Sequence, residues 1–176
     1  MADRLNVVEL GDPVLREVAQ PIADTGSDQV QTLIDNLLLT VQKANGVGIA
    51  APQVGQSDRL FIVASRPNLR YPNAPVMEPT AMLNPRILSH ADDSVKGWEG
   101  CLSVPGLRGF VPRRSAIAVE YIDRTGKVQQ QELSDFVARI FQHELDHLDG
   151  LVFLDRVEST QDLMTEREFQ QRIVAN

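Results

Sequence analysis

The sequence predicts an α+β fold in which mostly antiparallel sheets pack around a central, buried helix carrying an HExxH pattern. Segments with strand character outnumber segments with helical periodicity, and hairpin turns outnumber long crossovers, which favours antiparallel pairing. The helix predicted at 134–148 has apolar residues on two sides, which is typical of a buried helix. We also expect an N-terminal helix and a C-terminal helical tail.

The N-terminal helix is predicted at 27–44. Ser27 is a suitable N-cap, and Asn45-Gly46 provides an end. Apolar residues at helical spacing form one stripe between these ends: Val30, Leu33, Ile34, Leu37, Leu38 and Val41. One face of this helix should therefore be buried.

Strand patterns follow in the middle of the chain. We predict strands at 59–64 and at 81–88, the second interrupted at Pro85. Alternation at 115–123 and a return at 128–133 predict a hairpin that turns at 124–127.

The remaining segments are less regular. Four prolines make residues 65–79 a surface loop. After the HExxH helix we predict a strand at 151–157 and a helical tail at 161–174.

Length and composition describe an ordinary globular chain. Its 176 residues, 43% of them hydrophobic, suffice for one core, so we expect a single domain over 1–176, with the tail from residue 158 peripheral. No apolar run approaches the roughly 20 residues of a membrane span, and the first residues lack the apolar region of a secretion signal. The single cysteine, Cys101, excludes an internal disulfide and fits a reducing compartment. We therefore expect a cytoplasmic protein, and a bacterial cytosol is favoured.

The net charge argues against a nucleic-acid partner. Seventeen basic and 24 acidic residues give a charge of −7, and the densest basic group is Arg108, Arg113 and Arg114. Neutralising phosphates requires clustered lysine and arginine. We therefore expect no direct reader of nucleic acid.

The pattern His143-Glu144-Leu145-Asp146-His147 lies within the predicted buried helix. Residues four apart share one helix face, so both imidazoles can reach one metal ion. Glu144, beside the first histidine, is placed to act on a water at that metal. Burying these polar side chains without partners would be costly, and a shared metal removes the objection.

Two histidines leave a catalytic metal site one protein ligand short. Cys101 is the favoured third ligand, because a thiolate suits divalent iron, zinc or nickel. The alternative is Glu166 or Glu168, as in zinc metallopeptidases with two histidines and one glutamate. The third histidine, His90, lies in a polar stretch, and we interpret it as a solvated loop residue.

Three motifs in this order and spacing resemble the signature motifs of the peptide deformylases, and a fourth stretch resembles the family's opening. They are residues 46–53 (GVGIAAPQ), 99–103 (EGCLS), 142–147 (QHELDH) and 11–16 (GDPVLR). The similarity extends from about residue 5 to residue 157. The proline-rich segment 65–79 resembles an insertion found in some bacterial and organellar members.

The resemblance implies hydrolysis of the N-terminal formyl group from formylmethionyl nascent peptides, with release of formate. It assigns Cys101, His143 and His147 to one divalent metal, Fe²⁺ in the cell, which Zn²⁺, Ni²⁺ or Co²⁺ can replace in purified protein. A water activated by the metal would attack the formyl carbon, with Glu144 as general acid/base. The Gln53 side chain and the backbone amide of Leu102 would form the oxyanion hole.

Substrate contacts are expected where backbone and apolar side chains can approach the metal. Glycine at position 48, next to Val47, permits a strand-like pairing with an extended peptide. Ile140 and Phe136 lie one and two turns, respectively, before the first histidine ligand and suit a pocket for the methionine side chain. By resemblance, Glu99, Gly100 and Arg108 border the substrate site.

Two other functions stay open at this point. One is the metallopeptidase with a glutamate ligand. The other is a non-catalytic, metal-stabilised binding module, although neither Glu144 nor Gln53 would be needed to hold metal. Transient contact with the ribosome is also expected, because the substrate emerges there.

Overall fold

The computed structural model describes residues 2–175, which form an α+β fold. A five-stranded antiparallel sheet has the order β1 (Gly48–Ala50), β2 (Leu60–Val63), β3 (Thr80–His90), β6 (Ala116–Ile122) and β7 (Val128–Ser134). A three-stranded antiparallel sheet has the order β4 (Ser94–Cys101), β5 (Val104–Arg114) and β8 (Leu163–Thr165). The helices are α1 (Asp28–Lys43), α2 (Asp135–Leu148) and the short α3 (Glu166–Phe169). The predicted fold class is confirmed.

The five-stranded sheet lies between the two long helices. Along β2, Leu60 and Ile62 face the cluster that includes α1, whereas Phe61 and Val63 face the cluster that includes α2. Because successive side chains of a strand point to opposite faces, one buried strand serves both cores. All four of these β2 side chains are fully buried.

Both long helices begin and end close to their predicted bounds. In α1 the Ser27 side chain accepts a hydrogen bond from the Val30 amide, as an N-cap does. The apolar stripe of α1 is buried on the sheet. The predicted hairpin is confirmed as β6 and β7, which pair in continuous register.

The strand β3 is longer than predicted and is not interrupted at Pro85. Its pairing with β6 shifts register between Leu83 and Arg86, and Asn84 has a positive φ of 48°. A bulge at this point accommodates a proline, which has no amide hydrogen for the ladder. The β4–β5 hairpin was not among the predicted strands.

The strand predicted at 151–157 is wrong, because Phe153–Arg156 forms a 3-10 helix. The Asp155 side chain accepts a hydrogen bond from the Val152 amide (2.8 Å), and the Asp155 amide donates to the Val152 carbonyl (2.9 Å). Apolar residues here suggest a strand, but this local capping decides the conformation.

The tail differs from a plain helix. It contains a 3-10 turn, then β8, α3 and a π-turn at Gln170–Val174. β8 pairs with β5, and Phe169 is buried against Trp98. The tail therefore completes the three-stranded sheet. Within residues 2–175, no helix is both long and apolar enough to span a membrane.

Candidate metal centre and substrate cavity

Three side chains from two elements meet at one point. His143 and His147 lie one turn apart on α2, and Cys101 ends β4. One ligand atom from each residue lies within 4.8 Å of those of the other two, and Cys101 Sγ is 3.3 Å from His147 Nε2. All three are buried. Within the described chain this is the only such group of potential metal ligands, and it is the group that the sequence predicts.

The donor set fits a divalent metal ion. A thiolate and two imidazoles supply three ligands and leave a coordination position for water or substrate, as catalytic sites require. Burial, with the neighbouring positive charges, lowers the pKa of His147, so its ring is neutral, the form that binds metal. Burial opposes charge on His143, but hydrogen bonds with Cys101 and Glu99 raise its pKa, so this ring has to release a proton when it binds a metal ion.

The metallopeptidase alternative is wrong about the third ligand. The Glu166 carboxylate accepts hydrogen bonds from Arg108 Nε (2.6 Å) and Nη2 (3.2 Å). Glu168 pairs with Arg172 near the surface. Neither glutamate belongs to the ligand group, which Cys101 completes. His90 is exposed, as predicted, but lies at the end of β3 rather than in a loop.

Glu144 lies in the same buried cavity as the ligands. Its Oε2 is buried and has no hydrogen-bond partner among residues 2–175. Burial raises the pKa of this carboxyl to about 7. Gly48 makes room for it, because a Cβ at position 48 would clash with Glu144 Oε1. The cavity therefore contains a carboxyl group that can exchange a proton near neutral pH.

Gln53 is fixed with its amide nitrogen toward the thiol. Its Oε1 accepts a hydrogen bond from the Ala50 amide (2.9 Å), which determines the orientation of the side chain. Its Nε2 then lies 3.4 Å from Cys101 Sγ and 3.1 Å from Ser103 Oγ. Leu102, next to the cysteine, lines the same cavity. Ser103 has no predicted role and is fully buried.

The cavity also contains most of the expected substrate contacts. Edge strands of the two sheets, β1 and β4, border it, and α2 forms its floor. The lining residues that the sequence predicts for substrate binding are Val47, Gly48, Glu99, Gly100, Phe136 and Ile140. Two terminal strands beside a metal site suit an extended peptide.

Glu99 lies against His143 rather than facing open space. Its carboxylate is 2.9 Å from His143 Nδ1 and accepts hydrogen bonds from Arg113 and Arg139. Although burial opposes ionisation, the Arg113 guanidinium and the His143 hydrogen bond hold the pKa of Glu99 well below its usual range. The contact directs the other ring nitrogen of His143 toward the metal position.

Arg113 extends this contact into a buried charge network, and the sequence does not reveal its role. Arg113 Nη1 donates to Asp146 (2.6 Å), and Asp146 also binds Arg156. The one feature of the sequence that points to this network is Asp146, an acidic residue within a helix that is apolar on two sides. Its arginine partner is distant in sequence.

Arg108 lies behind the cysteine strand and outside the main cavity. Its side chain is 1% exposed and packs on the Phe169 ring. A Cβ at position 100 would lie 2.6 Å from Arg108 Nη1, so this packing requires Gly100. The structure thus places Arg108 beside Gly100, and it lines a neighbouring cavity together with Gly100 and Cys101.

The sequence matches the family described as polypeptide deformylase over residues 4–162. It is 61% identical over 172 residues to a protein named peptide deformylase 2 from Nostoc sp., covering 98% of this chain and 96% of the relative. It is 43% identical to peptide deformylase 2 from Shewanella oneidensis, covering 93% of this chain and 90% of that protein.

Solved structures with the same fold include a class I type b peptide deformylase from Acinetobacter baumannii with Met-Ala-Ser bound. The TM-score is 0.87 at 43% identity, with 89% of this chain and all of that chain covered. A peptide deformylase from Synechococcus elongatus in complex with actinonin gives 0.80 at 35% identity, with 92% and 84% covered. The matches span nearly the whole chain, including the cysteine and histidine motifs, and on this evidence the chain belongs to the polypeptide deformylase family of metallohydrolases.

Proposed function

We propose that this deformylase removes the formyl group from formylmethionyl nascent peptides by a mechanism centred on Glu144. The observation that carries the proposal is the buried Glu144 carboxylate. Its Oε2 has no hydrogen-bond partner among residues 2–175, and the group lies in the cavity with the metal ligands. Met-Ala-Ser, bound in the related Acinetobacter structure, is the deformylated form of such a peptide. This supports a peptide substrate for the present chain.

A divalent metal would be held by Cys101 Sγ and by one ring nitrogen each of His143 and His147. When bound, such an ion polarises the formyl carbonyl and lowers the pKa of a water molecule toward neutrality. We propose Fe²⁺ as the metal in the cell, and Zn²⁺, Ni²⁺ or Co²⁺ as replacements in purified protein. The mixed thiolate and imidazole donor set is compatible with all four.

Glu144 transfers the proton that the reaction moves. Its carboxylate takes a proton from the attacking water while the oxygen forms a bond to the formyl carbon. The same carboxyl then gives that proton to the amine nitrogen as the carbon–nitrogen bond breaks. The proton that remains on the formic acid passes to the released amine or to solvent, which leaves formate. A pKa of about 7 suits both steps, because near neutral pH the group can accept a proton as a base and then donate it as an acid.

The oxyanion that develops on the formyl oxygen needs hydrogen-bond donors. Gln53 Nε2 is oriented for this by the Ala50 amide. We assign the backbone amide of Leu102 as the second donor, because Leu102 borders the cavity directly after Cys101. Donors held in place before the reaction stabilise the transition state more than donors that must reorient.

The peptide would lie extended between the two edge strands. Val47 and Gly48 on one side and Gly100 on the other present backbone to it, while Phe136 and Ile140 form the pocket for the methionine side chain. Because of their buried contacts, Glu99 and Arg108 would support the site from behind. Transient contact with the ribosome stays a prediction.

The test is formate release from formyl-Met-Ala-Ser by the metal-loaded protein, prepared without oxygen when iron is used. Glu144→Gln should bind the same amount of metal but react about 10²–10⁴-fold more slowly, because general acid/base catalysis is lost. Glu78→Gln, on the exposed loop, is the matched control and should react as the wild type does.

Two results would count against the proposal. Full activity in Glu144→Gln would show that another group moves the proton. A metal-loaded wild type that releases no formate would favour the non-catalytic binding module.

A further inference from the structure

The proline-rich segment 65–79 has a defined conformation. Ser65 Oγ donates to the Pro75 carbonyl (2.6 Å) and closes the base of the segment. Within it, Asn68 Oδ1 accepts a hydrogen bond from the Tyr71 amide (3.0 Å). These contacts fix the backbone around Tyr71, and the segment therefore determines the position of the Tyr71 side chain.

The Tyr71 side chain reaches the substrate cavity and contacts both elements that supply metal ligands. Its ring lies 4.8 Å, centroid to centroid, from Phe136, which precedes His143 by about two helical turns. Its hydroxyl accepts a hydrogen bond from the Gly100 amide (3.3 Å), next to Cys101. The segment thus supplies one wall of the cavity, and this wall lies outside the three sequence motifs.

The Tyr71 hydroxyl has one proton left to donate. Arg108 Nη1 donates to the same oxygen at 2.8 Å, so two N–H groups occupy both acceptor positions. The phenolic proton therefore needs an acceptor of its own, and Tyr71 borders the cavity where a substrate would lie. The acceptor that an extended peptide brings to this cavity is a backbone carbonyl oxygen.

We propose that Tyr71 is a specificity-determining residue for the formylated peptide. Its ring closes the pocket for the first side chain beside Phe136, and its hydroxyl donates to a backbone carbonyl of the peptide next to Gly100. Arg108, which Glu166 fixes from the tail, holds the hydroxyl in place. The inference rests on the proposed function and adds to it a residue from outside the three motifs.

The experiment compares Tyr71→Phe and Tyr71→Ala with the wild type as metal-loaded enzymes. The substrates are formyl-Met-Ala-Ser, formyl-Ala-Ala-Ser and formyl-Met. Tyr71→Phe should raise KM for formyl-Met-Ala-Ser about fivefold with kcat unchanged, the cost of one hydrogen bond, and should leave formyl-Met unaffected. Tyr71→Ala should also lower the preference for formyl-Met-Ala-Ser over formyl-Ala-Ala-Ser about tenfold, because the pocket loses an aromatic wall.

Tyr121→Phe is the matched control. It removes the hydroxyl of the chain's other tyrosine, which contacts Gln131 in the five-stranded sheet, and it should change neither KM nor substrate preference. Thermal unfolding and bound metal are measured for every variant. If Tyr71→Ala fails to fold, the KM of Tyr71→Phe, which keeps the ring, still tests the role of the hydroxyl.

The outcomes separate this inference from the proposed function. Unchanged KM and unchanged preference in both Tyr71 variants would overturn the inference, and so would an equal loss of kcat on all three substrates. Absence of formate release by the wild type would instead overturn the proposed function.

Discussion

The two sides of the metal centre are held in place by different interactions. The histidine side is α2, whose apolar residues pack on the five-stranded sheet, for example Phe141 edge-on to Phe61 at 5.1 Å between ring centroids. The cysteine side is β4, which is tied to α2 by the buried charges of Glu99, Arg113 and Asp146.

The difference has a consequence for how each side responds to mutation. Apolar packing is non-directional, so it positions a helix as a whole and tolerates replacements of similar volume. Buried charges are directional and strongly penalise the loss of one partner. We therefore expect damage on the histidine side to reduce stability but leave metal binding intact, and damage on the cysteine side to reduce metal binding as well as stability.

The largest effect should come from Phe141→Ala. It removes a fully buried ring between helix and sheet, and we expect a loss of about 3–5 kcal/mol in the free energy of unfolding. Denaturant unfolding measures the loss, and Phe141→Leu, which conserves more volume, should lose far less. The protein that remains folded should still bind one metal ion, and a folded variant that has lost its metal would contradict the proposed division.

Glu99→Gln tests the charged side. His143 would lose its carboxylate partner, and Arg113 and Arg139 would lose a buried anion, so we expect metal affinity to fall about 10–100-fold. Competition with a metal chelator measures the affinity. Glu132→Gln, exposed on β7, serves as control. Unchanged affinity in Glu99→Gln would show that packing alone orients His143.

Glu166→Gln should have the smallest effect, with a characteristic dependence on pH. Burial opposes ionisation, but the hydrogen bonds from Arg108 lower the pKa of Glu166 below its usual range. A carboxyl with a lowered pKa in the folded state stabilises the protein above its unfolded pKa, and this contribution is lost as the pH falls through the folded value.

The expected difference in unfolding free energy between wild type and Glu166→Gln is about 1 kcal/mol at pH 7, because the pair is partly exposed. The difference should shrink below a pH of about 4.5, where the unfolded carboxylate becomes protonated. Chemical unfolding at pH 7, 5 and 4 gives the comparison. A difference that grows on acidification would show that Arg108 does not lower this pKa.

Much of the fold could be predicted because its signals are local. The α1 stripe, the β6–β7 hairpin and the HExxH helix follow from the spacing of apolar residues over a few turns or pleats. The 3-10 helix at Phe153–Arg156 was missed because one side-chain cap from Asp155 outweighs an apolar pattern typical of a strand.

The candidate site divides in the same way. The histidine pair can be predicted from a four-residue spacing, and Cys101 follows because it is the chain's single thiol. The residues that hold these ligands cannot be predicted in this way. Glu99 and Arg113 are 44 and 30 residues away from His143 in the chain, and hydrogen bonds over such separations leave no local sequence pattern.

The residues alone determine which groups can bind the metal and which carboxyl is available for the proposed proton transfer, because chemical identity and helical spacing are encoded locally. Tertiary structure decides what those groups contact. The folded chain brings Glu99 to His143, Gln53 to the thiol and Tyr71 to Gly100. It also changes the Glu144 carboxyl into a group that titrates near neutrality, because burial is a property of the assembled sheets and helix.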